Sequence, residues 1–207
     1  MGFLKKHAAK SVFSLCFAIA VLFVLCSCMQ SKKQRALNEI SDILRTEYTS
    51  DVSFRINDGN YELAGTACII KGDNITAFDI KSPDPYSGLC IEYDVSGLPS
   101  SVSVHFSGMD ATVPKEAVTA INSVAVLFAD DFASALSKTE VQSIMQYTLP
   151  NGGDGYCAQF VYSGADICVY FSSDVPLPSR FEYRSGDIEA DVVFDSFDVK
   201  IITDDKK

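Results

Sequence analysis

Histidine is scarce and tryptophan is absent: the 207 residues include two histidines and no tryptophan. His7 lies in the leader-like start of the chain, which leaves His105 as the single imidazole beyond it. There is no G-x-S-x-G elbow, no H-E-x-x-H pair and no phosphate-cradling glycine loop, so hydrolytic and nucleotide chemistry lack their usual groups. His105 sits in the strand-like run SVSVHF, where an isolated imidazole reads as a structural or surface group, and no catalytic residue is expected. Basic charge is also short. Lysine and arginine number 17 against 27 acids, for a formal net charge of −10. The first 27 residues hold three lysines and no acid, so the remainder carries about −13. Such a balance repels phosphate backbones and anionic headgroups, which excludes nucleic acid as a partner. Its simplest role is solubility. No C-x-x-C pair, internal repeat, low-complexity tract or interdomain linker interrupts the chain, and neither a metal nor a cofactor is expected.

The start of the chain has the three-part layout of an export signal. Lys5, Lys6 and Lys10 form a positive segment that stays on the cytoplasmic side. Ser11–Leu25 follows as an uncharged apolar run, VFSLCFAIAVLFVL. It closes on Leu25-Cys26-Ser27-Cys28, which resembles the lipobox of bacterial lipoproteins: an aliphatic residue three before the cysteine and a small one just before it. The resemblance implies diacylglyceryl attachment at the Cys28 thiol and cleavage between Ser27 and Cys28. Two acyl chains, palmitate among them, hold a protein to a bilayer where one does not, at about 0.8 kcal/mol per buried CH₂. The alternative is an uncleaved spanning helix, because the uncharged stretch 11–31 approaches the roughly 20 residues a bilayer requires. Its Cys-Ser-Cys-Met-Gln-Ser end is a poor stop. Either way the domain is expected at the cell membrane, on the extracytoplasmic face. The expected layout is a signal peptide over 1–27, a tether over 28–33, one monomeric domain over 34–203 and a disordered tail over 204–207.

Four cysteines follow Cys28: Cys68, Cys90, Cys157 and Cys168. An even count in an exported domain allows disulfides, with three pairings. Each, however, lies inside an apolar run (TACII, LCIEY, YCAQF, ICVYF), where a free cysteine behaves as a small core hydrophobe. Buried thiols and disulfides both remain open.

Periodicity divides the rest. Ala36, Leu37, Ile40, Ile43 and Leu44 recur at helical spacing. From Asp51 the period becomes two. VSFRI, YELAGTACII, NITAFDI, GLCIEYDV and SSVSVHF read as strands separated by turn residues such as Asp58-Gly59-Asn60 and Lys71-Gly72-Asp73-Asn74. Their short links predict an antiparallel meander. Pro114 then suits a first helical turn. Val118, Ile121, Val124, Ala125, Leu127, Phe128, Phe132 and Leu136 mark a helix more apolar than one surface requires. Ser137-Lys138-Thr139-Glu140 has capping-box form and predicts a second short helix to about Tyr147. Strands return with YCAQFVY, ICVYFS, RFEYRSG and DIEADVVFDSFDVKII. Asn151-Gly-Gly-Asp-Gly lacks the alternating acids and distal glutamate of a calcium loop and reads as a hairpin turn. Asp130-Asp131, adjacent on a helix, points its carboxylates about 100° apart, which suits a solvated face.

The order of helix, meander, apolar helices and closing strands is similar to the LolA-like half-barrel family, which includes periplasmic lipoprotein carriers and LppX/LprG-type lipoproteins. The phrases that carry the resemblance are Tyr48–Asn60, Asp79-Ile80-Lys81-Ser82-Pro83, and Leu177-Pro178-Ser179-Arg180-Phe181 through Val193-Phe194-Asp195-Ser196-Phe197. The resemblance implies an α+β fold: a strongly curved antiparallel sheet, an N-terminal helix, and one or two central helices over the concave face. It also implies a cavity for a lipid or other hydrophobic ligand between them. Val118, Ile121, Val124, Ala125, Phe128 and Phe132 could roof that cavity or fill the core beneath it. The lack of tryptophan departs from the family, and lipidation at Cys28 favours its tethered members over its soluble shuttles. The alternative is an envelope interaction protein without a cavity, presenting an acidic surface to a protein partner.

Overall fold

The computed structural model describes residues 33–73, 75–94, 101–114, 130–137, 141, 143–148, 153–172, 174–175 and 177–200. Ala36–Lys207 forms one compact unit; Met1–Arg35 is a separate unit, of which only 33–35 are described. Cys28, and with it the signal peptide and tether, therefore lies outside the described residues, as does 201–207.

Residues 33–44 form a helix, α1. Ala36, Leu37, Ile40 and Leu44 on its apolar stripe are at most 4% exposed, as the 3.6-residue spacing requires. A six-strand meander follows: β1 (Tyr48–Asn57), β2 (Glu62–Lys71), β3 (Ile75–Ser82), β4 (Cys90–Asp94), β5 (Ser101–Phe106) and β6 (Met109–Pro114). Helix α2 spans Asp130–Ser137. The chain then adds β7 (Ser143–Thr148), β8 (Asp154–Tyr162), β9 (Ala165–Ser172), β10 (Pro178–Ser185), β11 (Ile188–Phe194) and the short β12 (Asp198–Val199). Among the described residues these make one antiparallel sheet in the order β6-β5-β4-β3-β2-β1-β11-β10-β9-β8-β7, with β12 also on β1.

Two meanders are thus joined where β1 pairs β11, Val52 opposite Phe194 through Asn57 opposite Glu189. The sheet is open and curved. An open, twisted sheet of this width has to curl, because strand twist accumulates from one neighbour to the next. One face is mostly apolar. Val52, Phe54, Ile69, Ile80, Ile91, Phe160, Val169, Phe171, Phe181 and Val192 are at most 4% exposed and share a core with both helices. The other face alternates to polar and charged residues, the period-two pattern of a sheet wet on one side.

The helices differ from expectation in number and position. Ser143–Thr148, expected as the end of a capped helix, is strand β7, paired from Ser143–Gln159 to Thr148–Asp154 with β8. Pairing with a neighbouring strand outweighed a local capping signal. Pro114, expected in a first helical turn, closes edge strand β6, where a residue without an N–H is tolerated. The predicted central helix is present over Asp130–Ser137; its earlier part, 115–129, lies outside the described residues. Among the described residues no helix is long and apolar enough to cross a membrane.

Candidate functional site

The buried face is built from aromatic rings as much as aliphatic chains. Phe132, on α2, is 0% exposed. Its ring meets Phe160 at 5.5 Å, and Phe181 and Tyr162 at 5.7 Å each. From Phe181 the run continues to Phe194 (5.1 Å), Phe197 (5.6 Å from Phe194) and Tyr48 (4.6 Å from Phe197). Edge-to-face pairs such as Phe132–Phe181 and Phe181–Phe194 add to the area they bury. One aromatic track therefore runs from α2, across β10 and β11, to the start of β1. Of the expected cavity-lining residues, Phe132 stands in this track. Val118, Ile121, Val124, Ala125 and Phe128 lie outside the described residues.

The two helices are also bonded to each other. Ser41, 0% exposed on α1, donates its hydroxyl to the carbonyl of Ala133. Arg45 reaches Ser134 Oγ at 3.1 Å and Ser137 Oγ at 3.4 Å. Small residues at Ser41 and Ala133 let the backbones approach.

One polar row interrupts the apolar face. Tyr48 pairs Lys71, Lys71 pairs Thr76 and Thr76 pairs Tyr93, across β1–β4. Their exposures are 2%, 4%, 4% and 6%. Lys71 and Tyr48 engage other groups. The hydroxyls of Thr76 and Tyr93 are buried and make no hydrogen bond among the described residues, and burial pushes the Tyr93 phenol well above its ordinary pKa. Sequence reasoning missed this row. The signal was strand parity: in NITAFDI, Thr76 shares a phase with Phe78 and Ile80, whereas Ile75 is the exposed residue.

On the opposite face His105 lies between two acids, Nδ1 2.7 Å from Asp110 and Nε2 3.3 Å from Glu92. The Glu92 contact is not aligned as a hydrogen bond, so Asp110 chiefly raises the imidazole's pKa. The side chain is part of a cross-strand row, Asp51, Cys68, Asp79, Cys90, His105, Asp110. Among the described residues no three metal-ligating side chains of such a row converge on one point.

All four cysteines are free thiols. Cys68 and Cys90 both oppose Asp79, from either side of β3. They are two strand spacings apart, roughly 10 Å, which is beyond disulfide reach. A cleft of about 220 Å³ also lies on this outer face, over β1, β10 and β11. Its guanidiniums are already engaged: Arg180 bonds Asp191 through Nε (2.7 Å) and Nη2 (2.9 Å), and Arg184 pairs Glu189. The aromatic face, not this cleft, is the candidate ligand surface.

No family model and no curated protein matches the chain. Solved structures similar to it include an uncharacterised conserved protein from Thermus thermophilus (15% identity, 81% of this chain and 87% of that one, TM-score 0.47). A LolA superfamily protein from Nitrosomonas europaea (10%, 81% and 93%, 0.43) and LprF from Mycobacterium bovis (10%, 81% and 93%, 0.46) are also similar. They include the group that the sequence resembles. The likeness is one of chain path alone, and what the chain does must be argued from its own side chains.

Proposed function

We propose that this chain is an envelope lipoprotein, held to the membrane through Cys28, whose domain takes up an acyl-type lipid or similar hydrophobic molecule and does not convert it chemically. The observation that supports this is the make-up of the buried face. An open antiparallel sheet has no opposing strands to fill its concave side, and that side is covered by helices and lined with a continuous aromatic and aliphatic surface. A closed small barrel fills its interior with its own side chains, whereas an open curved sheet depends on what is laid against it. Binding sites for small molecules are mostly apolar and concave, with few polar groups. Most of the described side chains of this face are packed at 0–6% exposure, and Tyr162, Tyr183 and Phe194 on it are half-buried. A guest therefore enters by parting helix from sheet, exchanging helix–sheet contacts for contacts with methylenes worth about 0.8 kcal/mol each.

The test is native and intact-mass spectrometry of the full-length chain purified from a bacterial membrane. The expected spectrum shows a chain beginning at Cys28 with a diacylglyceryl adduct, and a second, non-covalent lipid released on activation. A chain that never carries non-covalent lipid removes the ligand-binding role. An intact N-terminus at Met1 removes the anchor.

A further inference from the structure

Thr76 and Tyr93 set a chemical requirement for whatever occupies the concave face. They face each other on β3 and β4, on the buried side by strand parity, and both hydroxyl oxygens are without a hydrogen-bond partner among the described residues. The row next to them is apolar across β2–β4, where Ile69, Phe78 and Ile91 are at most 2% exposed. Buried polar groups are nearly always hydrogen-bonded, and an orphan is costly because folding strips its water and returns nothing. Two orphans side by side, in a face that is mostly apolar, mark a place where oxygen or nitrogen from outside the described chain belongs. The row sits at one end of the sheet, where β1 begins and β2 turns into β3, so it is placed at the rim of the face rather than its middle.

We infer that the hydroxyls of Thr76 and Tyr93 form a polar subsite that takes the oxygen-bearing end, carboxyl or ester, of an acyl amphiphile whose chain lies along the apolar face. This rests on the proposed lipid-binding role and narrows it from hydrophobic molecules in general to amphiphiles with hydrogen-bond acceptors at one end. Both hydroxyls can donate to one carbonyl or to the two oxygens of a carboxyl group. Lys71, the next residue of the row and 4% exposed, places a side-chain amine on the same side. A saturated hydrocarbon would leave both hydroxyls unsatisfied and gain nothing from them.

The full-length chain in bacterial membranes is photolabelled with two probes, a diazirine fatty acid and a diazirine alkane of equal length, and labelling of the concave-face peptides is counted. Thr76→Val with Tyr93→Phe removes the two hydroxyls and little else. The double variant is expected to lose about tenfold in fatty-acid labelling, as the loss of two hydrogen bonds implies. Its alkane labelling and thermal midpoint should not fall. Unchanged fatty-acid labelling overturns the subsite but leaves lipid binding intact. A parallel fall for both probes, or a lower midpoint with labelling unchanged, assigns the hydroxyls to the fold and also overturns it. If neither probe labels the wild-type face, the lipid-binding role goes as well.

Discussion

Cys157 and Cys168 show how much one register position can set. Cys157 opposes Tyr170 and Cys168 opposes Gln159, which makes the two thiols diagonal neighbours on the outer face of β8 and β9. A hydrogen bond from Cys157 brings the Cys168 thiol down to about 7, and Gln159 Nε2, 3.7 Å from its sulfur, adds to the effect. The same bond, together with burial, raises Cys157. Burial raises Cys68 and Cys90. Only the thiolate is nucleophilic. Iodoacetamide labelling followed by peptide mass spectrometry should therefore show Cys168 reacting first, its rate rising with pH through a midpoint near 7. In Cys157→Ala that midpoint should move upward, toward the roughly 8.5 of an ordinary thiol. Equal rates at all four cysteines at pH 7 would dismiss this account. The cysteine count and the apolar runs were legible in the sequence. Which pair of thiols meets was not, because that depends on the β8–β9 register.

At the scale of the element, β2 and β3 come close together at Gly65. The pairing of these strands shifts between Thr66 and Ala67, and Thr66 bonds Ser82 through its amide and hydroxyl, both at 2.9 Å. A Cβ on Gly65 would lie 2.0 Å from the Ser82 carbonyl oxygen and 2.7 Å from its carbon. Backbone cannot swing aside as a side-chain tip does. Gly65→Ala should cost about 2 kcal/mol or more, read as a lower urea midpoint. Gly72→Ala is its control: the nearest atom to a new Cβ there is 3.6 Å away. That variant should hold stability or raise it by about 0.5 kcal/mol through a less flexible unfolded chain. A Gly65→Ala midpoint equal to wild type would remove the close contact. Strands β1–β5 and β8–β11 were legible because alternation is strong in them. β6 was missed: its sequence, MDATVP, sets two β-branched residues, Thr112 and Val113, beside an aspartate, an alanine and a proline, and it is held by pairing with β5 from Ser101–Pro114 to Phe106–Met109. β7 was misread because Val141, Ile144 and Met145 also fit a helical i, i+3, i+4 spacing after a capping box, and nothing local tells the two apart. The concave polar row stayed hidden for a related reason. Threonine and tyrosine are common on wet strand faces, and only the buried phase of β3 and β4 gives Thr76 and Tyr93 their meaning.

For the whole molecule, the decisive contact is the seam between its two meanders. β1 and β11 are far apart in sequence, yet their pairing makes one sheet of what would otherwise be two. Phe194 and Phe197 reinforce the seam from the core side by linking Phe181 to Tyr48, and the Ser41–Ala133 bond ties the helices across it. With a single core shared by residues from β1 through β11, neither meander has an apolar surface that it can bury alone. Loss of either one should therefore strip the other, and unfolding should be all-or-none. The cysteines report on the two sides separately, Cys68 and Cys90 on the first meander and Cys157 and Cys168 on the second. Pulsed alkylation across a urea series is expected to expose Cys68, Cys90 and the buried Cys157 at one midpoint, Cys168 being reactive already in the fold. Phe194→Ala should lower that common midpoint by an amount equivalent to about 3 kcal/mol, moving Cys157 together with Cys68 and Cys90. Two separate midpoints, with Cys157 still protected after Cys68 and Cys90 react, would mean that the seam is weak and that each meander stands alone. A concave face continuous enough to hold one acyl chain along its length requires the first outcome.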